Sequence, residues 1–293
     1  MKDKKMIGGI LLIAISAISF GLMPIFAKIA YSVGASTYSL LFLRFLVATT
    51  FMFLLLFIKK WKLPSKKEAV IFFLLGAVGY VGQSFCYFTA LNYASSSVVS
   101  LLLYTYPALV MLGSAIFLKE RVTMQKALSL CLALIGAFVI IGVEFRANPV
   151  GIVLSVLSAV FYSVYILITS KVVKAGMGIQ STAFIMLGAA VVYGITNLFL
   201  GYAPPTRISG YVAVIMIALI STALASWSFF TGMEKTGPST AALVSTLEPV
   251  VTVLASILIL SEKITVNTVV GGCLVLAALL VTSLPSKKED GAG

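Results

Sequence analysis

Ten apolar stretches of membrane-spanning length make up most of this chain, and short polar segments separate them. A helix needs about 20 apolar residues to cross roughly 30 Å of hydrocarbon. Since 60% of the 293 residues are hydrophobic and 10% are charged, a water-soluble domain would lack a polar exterior. The sequence therefore predicts an all-α membrane protein with ten transmembrane helices. The predicted spans are 6–30, 37–58, 68–90, 96–118, 124–143, 149–171, 180–201, 209–232, 239–260 and 265–284.

The chain also contains an internal repeat without gaps. Its offset is the distance from Pro107 to Pro249, which is also the distance from Glu120 to Glu262. Each half holds five spans, and because five is odd, the second half must enter the membrane upside down. We therefore predict two inverted five-helix repeats, over residues 6–143 and 149–284, followed by a cytoplasmic tail over 285–293. Inverted repeats with helix breaks at matching positions are typical of alternating-access transporters.

The charge distribution predicts the orientation. With the N-terminus in the cytoplasm, sixteen Lys and Arg residues lie in cytoplasmic segments and three lie outside. Cytoplasmic loops carry the basic excess in membrane proteins, so both termini are expected in the cytoplasm and the chain in the cytoplasmic (plasma) membrane. The net charge of +12 is then a topology signal, and we expect no nucleic-acid partner.

Missing residue types exclude several kinds of chemistry. The chain has no histidine, and its aspartates, Asp3 and Asp290, lie in the tails. His-dependent zinc sites, Ser-His triads and intramembrane Asp pairs are therefore excluded. The three cysteines lie far apart in apolar runs, which is typical of core residues rather than a disulfide or metal site. We expect no cofactor, no metal and no enzymatic activity, and an intramembrane enzyme is an unfavoured alternative.

Glu248 is an acid in the middle of an apolar span, next to Pro249. A charge at the bilayer centre costs about 2.5–3.5 kcal/mol on insertion scales, so such residues usually face a cavity or a partner. Pro249 has no N–H and leaves the carbonyl of Ser245 without its helical donor. These features predict a substrate or proton site near the middle of the membrane. The alternative is a proline kink with the acid satisfied by a neighbour.

Other candidates lie near this acid or near its repeat-equivalent position. The segments 104–107 and 246–249 are expected to face each other near the pseudo-two-fold axis. Ser and Thr in spans often serve only helix packing, Gln83 has an interhelical hydrogen bond as its alternative, and Trp227 has packing. The predicted substrate- or proton-binding residues are Glu248, Tyr104, Tyr106, Gln83, Ser100, Ser245, Thr246, Tyr87 and Trp227, and the predicted helix-breaking or gating residues are Pro107, Pro249 and Pro24.

Two basic residues lie within spans and are predicted to be structural or to form ion pairs. Lys28 is near the outer end of the first span, where its side chain can snorkel to the interface. Arg44 either snorkels outward or pairs with a carbonyl or an acid from another helix. Its repeat-equivalent residue is Met186. Glu120 and Glu262, at span ends beside basic residues, are predicted to be caps or ion-pair partners.

Several motifs together resemble one known family. They are Ala90-Leu91-x-Tyr93, Leu118-Lys119-Glu120-Arg121, Leu247-Glu248-Pro249-Val250 and Leu260-Ser261-Glu262. Over essentially the whole chain, as two tandem copies, the sequence resembles EamA-type members of the drug/metabolite transporter superfamily. The resemblance implies ten helices, a central cavity lined by spans one, three, four, six, eight and nine, and export of small metabolites such as amino acids. The second copy departs from the first at Met186 and at Gly237-Pro238, which replace Arg44 and Ser95-Ser96.

The favoured function is therefore a secondary transporter, an exporter of small metabolites, driven by an ion gradient or by the gradient of its substrate. No Walker-type sequence for ATP use is present. Glu248 would bind a proton or a cationic group, since a carboxylate deprived of water holds a proton more readily. The expected partners are a small-molecule substrate, a proton and the lipid bilayer. A passive channel or facilitator on the same scaffold is the alternative, and the sequence leaves the oligomeric state open.

Overall fold

The computed structural model describes residues 2–117, 124–173, 177–236, 244–245 and 247–283. Every regular element in these ranges is helical. Six of the helices found there are long and apolar enough to cross a membrane, and shorter apolar helices accompany them. The predicted all-α membrane fold is confirmed.

The first half builds five spans from eight α-helices and one π-helical segment. Spans one and four are each broken into two helices, and span three contains the π-helical segment. The elements are α1 (Lys2–Gly21), α2 (Met23–Ser32), α3 (Thr37–Ile58), α4 (Lys66–Leu74), π1 (Leu75–Tyr80), α5 (Val81–Ala90), α6 (Ser96–Leu103), α7 (Tyr106–Phe117) and α8 (Met124–Ala147).

The second half repeats this plan with one span unbroken. Span six is the continuous counterpart of the broken span one, and span eight again contains a π-helical segment. The elements are α9 (Pro149–Val172), α10 (Gly178–Leu200), α11 (Ile208–Ala218), π2 (Leu219–Leu224), α12 (Ala225–Thr236), α13 (Leu247–Leu260) and α14 (Val266–Ser283).

Polar caps explain why the helices begin where the apolar runs begin. The side chains of Ser36, Ser95 and Asn148 each accept a hydrogen bond from the N–H three residues later, at 3.2–3.3 Å. Ser65 forms a capping box with Glu68. A capped first turn satisfies N–H groups that have no partner in the helix, so the polar residue before each run fixes the start of the span.

The outward-facing side chains are apolar, as a lipid-facing surface requires. Phe57, Leu198, Phe199 and Leu258 are each more than 80% exposed. The buried set, by contrast, includes Arg44 and many Ser and Thr residues. Polar groups are therefore collected inside the helix bundle, where they can bind one another or a solute.

The packing of the spans follows a two-fold exchange of the halves. Spans two and seven pack together as α3 and α10, and spans five and ten as α8 and α14. The pairing of α1 with α12 (spans one and eight) is matched by that of α9 with α5 (spans six and three). Spans four and nine meet through α6 and α13. This is the arrangement expected of two inverted repeats.

Candidate functional site

Helix breaks in spans one and four bring irregular backbone to the centre of the bundle. Span one breaks at Leu22, span four at Tyr104 and Thr105, and α13 begins at Leu247. Pro24, Pro107 and Pro249 fall in the first turns of the helices that follow, where a missing N–H costs little. Non-helical backbone at membrane depth is tolerated where it lies within protein or lines a cavity.

A hydroxyl network joins spans one, four and nine at the turn that carries Glu248. The Thr252 hydroxyl lies 2.8 Å from the carbonyl oxygen of Gly21 and 3.2 Å from that of Glu248. The Ser100 hydroxyl donates to the Thr252 hydroxyl at 3.4 Å. Gly21 approaches so closely that a Cβ there would lie 2.7 Å from the Glu248 carbonyl oxygen. The break in span one therefore packs directly on the turn that bears the acid.

The Glu248 side chain lies inside the helix bundle. Protein surrounds its carboxyl group, and the residue as a whole is half-buried. The Tyr104 hydroxyl is among the groups that interact with this carboxyl. The carboxyl also interacts electrostatically with the hydroxyls of Tyr87, Tyr106 and Tyr162. Tyr104, Tyr106 and Tyr87, all predicted site residues, are thus grouped around the acid.

From Glu248, a row of five tyrosines, which we call the tyrosine row, leads across the bundle. The ring centroids are 6.0 Å apart for Tyr104 and Tyr106, and 4.7 Å apart for Tyr106 and Tyr162. The row continues to Tyr165 at 6.1 Å and then to Tyr80 at 5.4 Å. Tyr106, Tyr162, Tyr165 and Tyr80 are half-buried, so they offer both ring surface and hydroxyls to the interior.

Arg44 lies at the far end of the tyrosine row, and the structure corrects the expectation for it. The residue is 1% exposed. Its Nε donates to the Thr222 hydroxyl at 3.1 Å, and an Nη atom donates to the Tyr80 hydroxyl at 3.5 Å. The guanidinium carbon lies 4.8 Å from the Phe45 ring centroid and 5.0 Å from that of Phe88. Among the described residues, hydroxyls and aromatic faces hold this cation, instead of an interface, a carbonyl or an acid.

The two hydroxyl partners of Arg44 occupy repeat-equivalent positions, since Tyr80 and Thr222 are separated by the repeat offset. Tyr80 ends π1, and Thr222 lies within π2. The Thr222 hydroxyl also donates to the carbonyl of Ile217 at 2.8 Å. π-Helical turns are rare and occur frequently at functional sites. Sequence reasoning missed both π-helical segments, because a span that is apolar all round has no periodic pattern in which a change of helical period would appear.

Lys28 and Glu262 meet at the start of α6. The Lys28 ammonium donates at 2.9 Å to the carbonyl of Ala94, in the short segment that joins α5 to α6, so it binds backbone at the end of its span. Glu262 accepts from the N–H of Ser96 at 2.8 Å, and from the N–H and hydroxyl of Ser97 at 3.3 and 3.1 Å. Glu262 is therefore a cap, one of its two predicted roles, for a helix of the other repeat.

The remaining predicted residues lie apart from the acid or cannot be placed. Gln83 is buried, and its amide donates to the Ser158 hydroxyl at 3.4 Å, which is the interhelical bond considered as its alternative. Trp227 is 40% exposed, and its role as a ligand stays a prediction. Ser245 is helical and half-buried. Thr246 and Glu120 lie outside the described residues.

Comparison with known proteins places the whole chain in one family. The model of the EamA-like transporter family matches residues 7–142 and again residues 149–284. The chain belongs to the EamA-like transporter family. This EamA-like transporter is 25% identical over 288 residues to the uncharacterized transporter YcbK of Bacillus subtilis, covering 92% of this chain and 91% of that protein.

A second relative agrees with this placement, and a solved structure shares the fold. An uncharacterized transporter of Archaeoglobus fulgidus is 29% identical over 263 residues, covering 87% of this chain and 92% of that protein. One protein of known crystal structure shares the fold with a TM-score of 0.69 at 18% identity. The match covers 97% of this chain and 99% of the chain of that protein. The chain is thus a multi-pass membrane transporter, with a small-molecule substrate and the lipid bilayer as its partners.

The interior of this EamA-like transporter has contributions from the spans that the resemblance implied and from one more. Spans one and four supply the broken backbone around Glu248, which lies on span nine, and spans three and six supply the other tyrosines. Span eight contributes Thr222 through π2. Span two adds Arg44, which the resemblance did not place at the cavity. Sequence reasoning lacked a signal for this position, because the partners of Arg44 come from spans three and eight.

Proposed function

We propose that this chain is a secondary transporter that exports small organic solutes, amino-acid-like ones included, by alternating access. The observation that supports it best is one enclosed acid, Glu248, where irregular backbone of the first repeat meets a helix of the second beside a half-buried row of tyrosines. Discontinuous helices at the interface of inverted repeats are the usual location of substrate and coupling-ion sites.

The chemistry of the tyrosine row supports a substrate with an amine at one end. Glu248 offers a carboxylate to an ammonium group or a proton. The tyrosine rings offer flat apolar surface, and their hydroxyls offer hydrogen bonds. At the other end, the Arg44 guanidinium attracts negative charge. Opposite charges at the two ends of an aromatic surface suit a zwitterionic solute better than a polyanion.

Competition for Glu248 gives a physical basis for coupling. An uncompensated carboxylate inside the membrane is costly, so the transporter changes conformation more readily when a proton or a substrate amine neutralises the acid. If the proton and the substrate amine bind Glu248 in turn, each is released on the side of the membrane where the other binds. Solute export is then exchanged for proton entry, and the proton gradient drives the cycle.

The test is transport by Glu248→Gln in proteoliposomes between pH 6 and pH 8. The amide keeps the size of the side chain but cannot change its charge. We expect normal insertion, loss of proton-driven uphill transport and loss of the pH dependence. Glu68→Gln is the matched control, because Glu68 is a half-buried acid in the first turn of α4, away from the tyrosine row, and it should transport like wild type. Wild-type rates and pH dependence in Glu248→Gln would remove this acid from the mechanism.

Counterflow separates a carrier from a passive channel on the same scaffold. Vesicles loaded with unlabelled amino acids, amines or nucleosides are diluted into trace labelled solute of the same kind. A carrier accumulates the label transiently and saturates, because each reorientation carries a bound solute. Flux that is linear in concentration and shows no counterflow would contradict the carrier.

A further inference from the structure

At the end opposite the N-terminus, one contact between the two repeats is a carboxylate on a helix start. Glu262 belongs to the second repeat, and α6 belongs to the first. Its two carboxylate oxygens accept three hydrogen bonds, two from backbone N–H groups and one from the Ser97 hydroxyl. Bonds from N–H groups to an ionised acceptor are about twice as strong as neutral ones, and a helix start also favours negative charge.

Further groups reinforce the same contact. Lys28, on span one, interacts electrostatically with Glu262 while its ammonium binds the Ala94 carbonyl. Ser95 caps α6 by accepting from the N–H of Val98 at 3.3 Å. Spans one and four and the loop after span nine are therefore tied together at one end of the bundle. We call this contact the Glu262 latch.

The repeat makes a comparison of the two ends possible. The position equivalent to Glu262 is Glu120, and the one equivalent to Ser97 is Ser239, so the acid and one serine are kept. The supporting residues differ. Ser95, Ser96 and Lys28 correspond to Gly237, Pro238 and Ser170. Positions 120 and 237–239 lie outside the described residues, and the comparison of these positions rests on sequence alone.

Each of these differences removes a component of the latch. Proline has no N–H, and the N–H of Ser96 makes the shortest of the three bonds to Glu262, at 2.8 Å. Glycine has no side chain with which to cap a helix. Serine has no positive charge. By sequence, the second repeat therefore lacks three of the groups that make this contact in the first.

We infer that the Glu262 latch is the contact that closes one end of this transporter, and that its greater strength makes the empty transporter rest open toward the opposite end. This inference rests on the alternating-access function and on the orientation proposed above. In that orientation the latch is on the outside, and the resting cavity opens to the cytoplasm. An exporter in that state is ready to accept its substrate.

Ser96→Pro tests the latch by giving the first repeat the proline of the second. Ser96 is the first residue of α6, where proline is well tolerated. Ser95 before it has φ −65° and ψ 149°, which a following proline also accepts. Ser96→Ala is the matched control, because it keeps the N–H and removes only a hydroxyl that has no partner in the structure. Glu262→Gln, which removes the charge, is the second test variant.

The readout is labelling of the variant Tyr162→Cys, in which Cys86, Cys131 and Cys273 are replaced by alanine so that the thiol at position 162 is the one that reacts. A membrane-impermeant maleimide is applied to either face of oriented vesicles in the absence of substrate. We expect wild type and Ser96→Ala to be labelled mainly from the cytoplasmic face. Loss of one charge-assisted hydrogen bond should shift the ratio of outside to cytoplasmic labelling by about tenfold or more in Ser96→Pro. Glu262→Gln should shift it in the same direction.

The outcomes separate the latch from the proposed function. If Tyr162→Cys is labelled from one face and both test variants behave like wild type, the proposed role of the Glu262 latch is contradicted and alternating access stands. Wild-type labelling mainly from the outside would overturn the resting state inferred here. Labelling from neither face in every variant would contradict the alternating-access function itself.

Discussion

The two halves of this transporter share a backbone plan and differ in the residues that carry charge. Both contain a π-helical segment in the third span of the repeat, at nearly the same register. Both have a proline in the first turn of a helix at the centre of the fourth span. Yet the acid Glu248 corresponds to Tyr106, and Arg44 corresponds to Met186. Duplication therefore supplied a symmetric frame, and divergence supplied one acid and one cation.

Electrostatics explains why the acid is present once. Tyr106 lies close enough to Glu248 to interact with it, so a second carboxylate at position 106 would lie near the first. Two carboxylates that share a site cannot both ionise easily. A single acid surrounded by tyrosine hydroxyls can gain and lose one proton without that repulsion.

The largest effect on stability is expected from Gly76→Ala, which places in the first half a residue that is found at the equivalent position of the second. Gly76 corresponds to Ala218, but a Cβ at position 76 would overlap the carbonyl oxygen of Ile185 on α10. Because backbone on both sides must move, Gly76→Ala should destabilise the protein by about 3 kcal/mol or more. Loss of the monodisperse peak in detergent, or a large fall in Tm, would show this.

Gly8→Ala is the control for that substitution. A Cβ at position 8 meets nothing within 4 Å, so this change should leave the Tm unchanged or slightly higher, since alanine favours a helix. Equal Tm values for Gly76→Ala and wild type would mean that spans three and seven are not packed as closely as described.

A second substitution removes the difference between the two halves at position 44. Arg44→Met gives position 44 the residue found at position 186. Removing a buried charge that has no carboxylate partner among the described residues relieves its desolvation, so the free energy of unfolding should change by no more than about 1–2 kcal/mol. Transport should nevertheless fall at least about tenfold, because a loss of 1.4 kcal/mol of binding already has that effect. Proteoliposome flux and thermal unfolding on the same preparation measure both.

The reverse pattern would overturn this view of Arg44. If Arg44→Met unfolds the protein while any folded fraction transports normally, the guanidinium stabilises the fold and has no role in transport. Leu46→Met, an exposed apolar position on the same helix, controls for the introduction of a methionine into α3.

The smallest effects distinguish the two repeat-equivalent partners of Arg44. The Thr222 hydroxyl accepts at 3.1 Å and the Tyr80 hydroxyl at 3.5 Å. Because desolvation of the buried cation offsets much of the gain from each bond, each hydroxyl should contribute about 1 kcal/mol, and the longer bond contributes less. Thr222→Val should therefore lower the free energy of unfolding more than Tyr80→Phe does. Equal losses in chemical unfolding would show that the guanidinium is shared evenly between the two segments.

The sequence was sufficient for the spans because their signals are local. Apolar runs and capping residues such as Ser36 and Ser95 are readable without the fold, and the structure begins α3 at Thr37 and α6 at Ser96, where spans were predicted to begin. The grouping of Tyr104 and Tyr106 with Glu248 was also predictable, because the repeat places their segments opposite each other.

The positions of Arg44, Lys28 and Glu262 were not predictable in the same way. From hydropathy alone, we expect the side chain of a basic residue in a span to extend to the membrane interface. What holds Arg44 instead is a pair of hydroxyls 36 and 178 residues away, and Glu262 caps a helix start more than 160 residues before it. Contacts between distant segments leave no pattern in one sequence.

The matching π-helical segments bear on the history of the gene. A π-helical turn holds one residue more than an α-helical turn within the same rise, so each segment amounts to an inserted amino acid. The halves align without a gap across these segments, so both carry the insertion. We infer that the extra residue entered an ancestral five-helix protein before duplication and fusion. That ancestor, inserted both ways up, would already have paired two such helices around one shared interior.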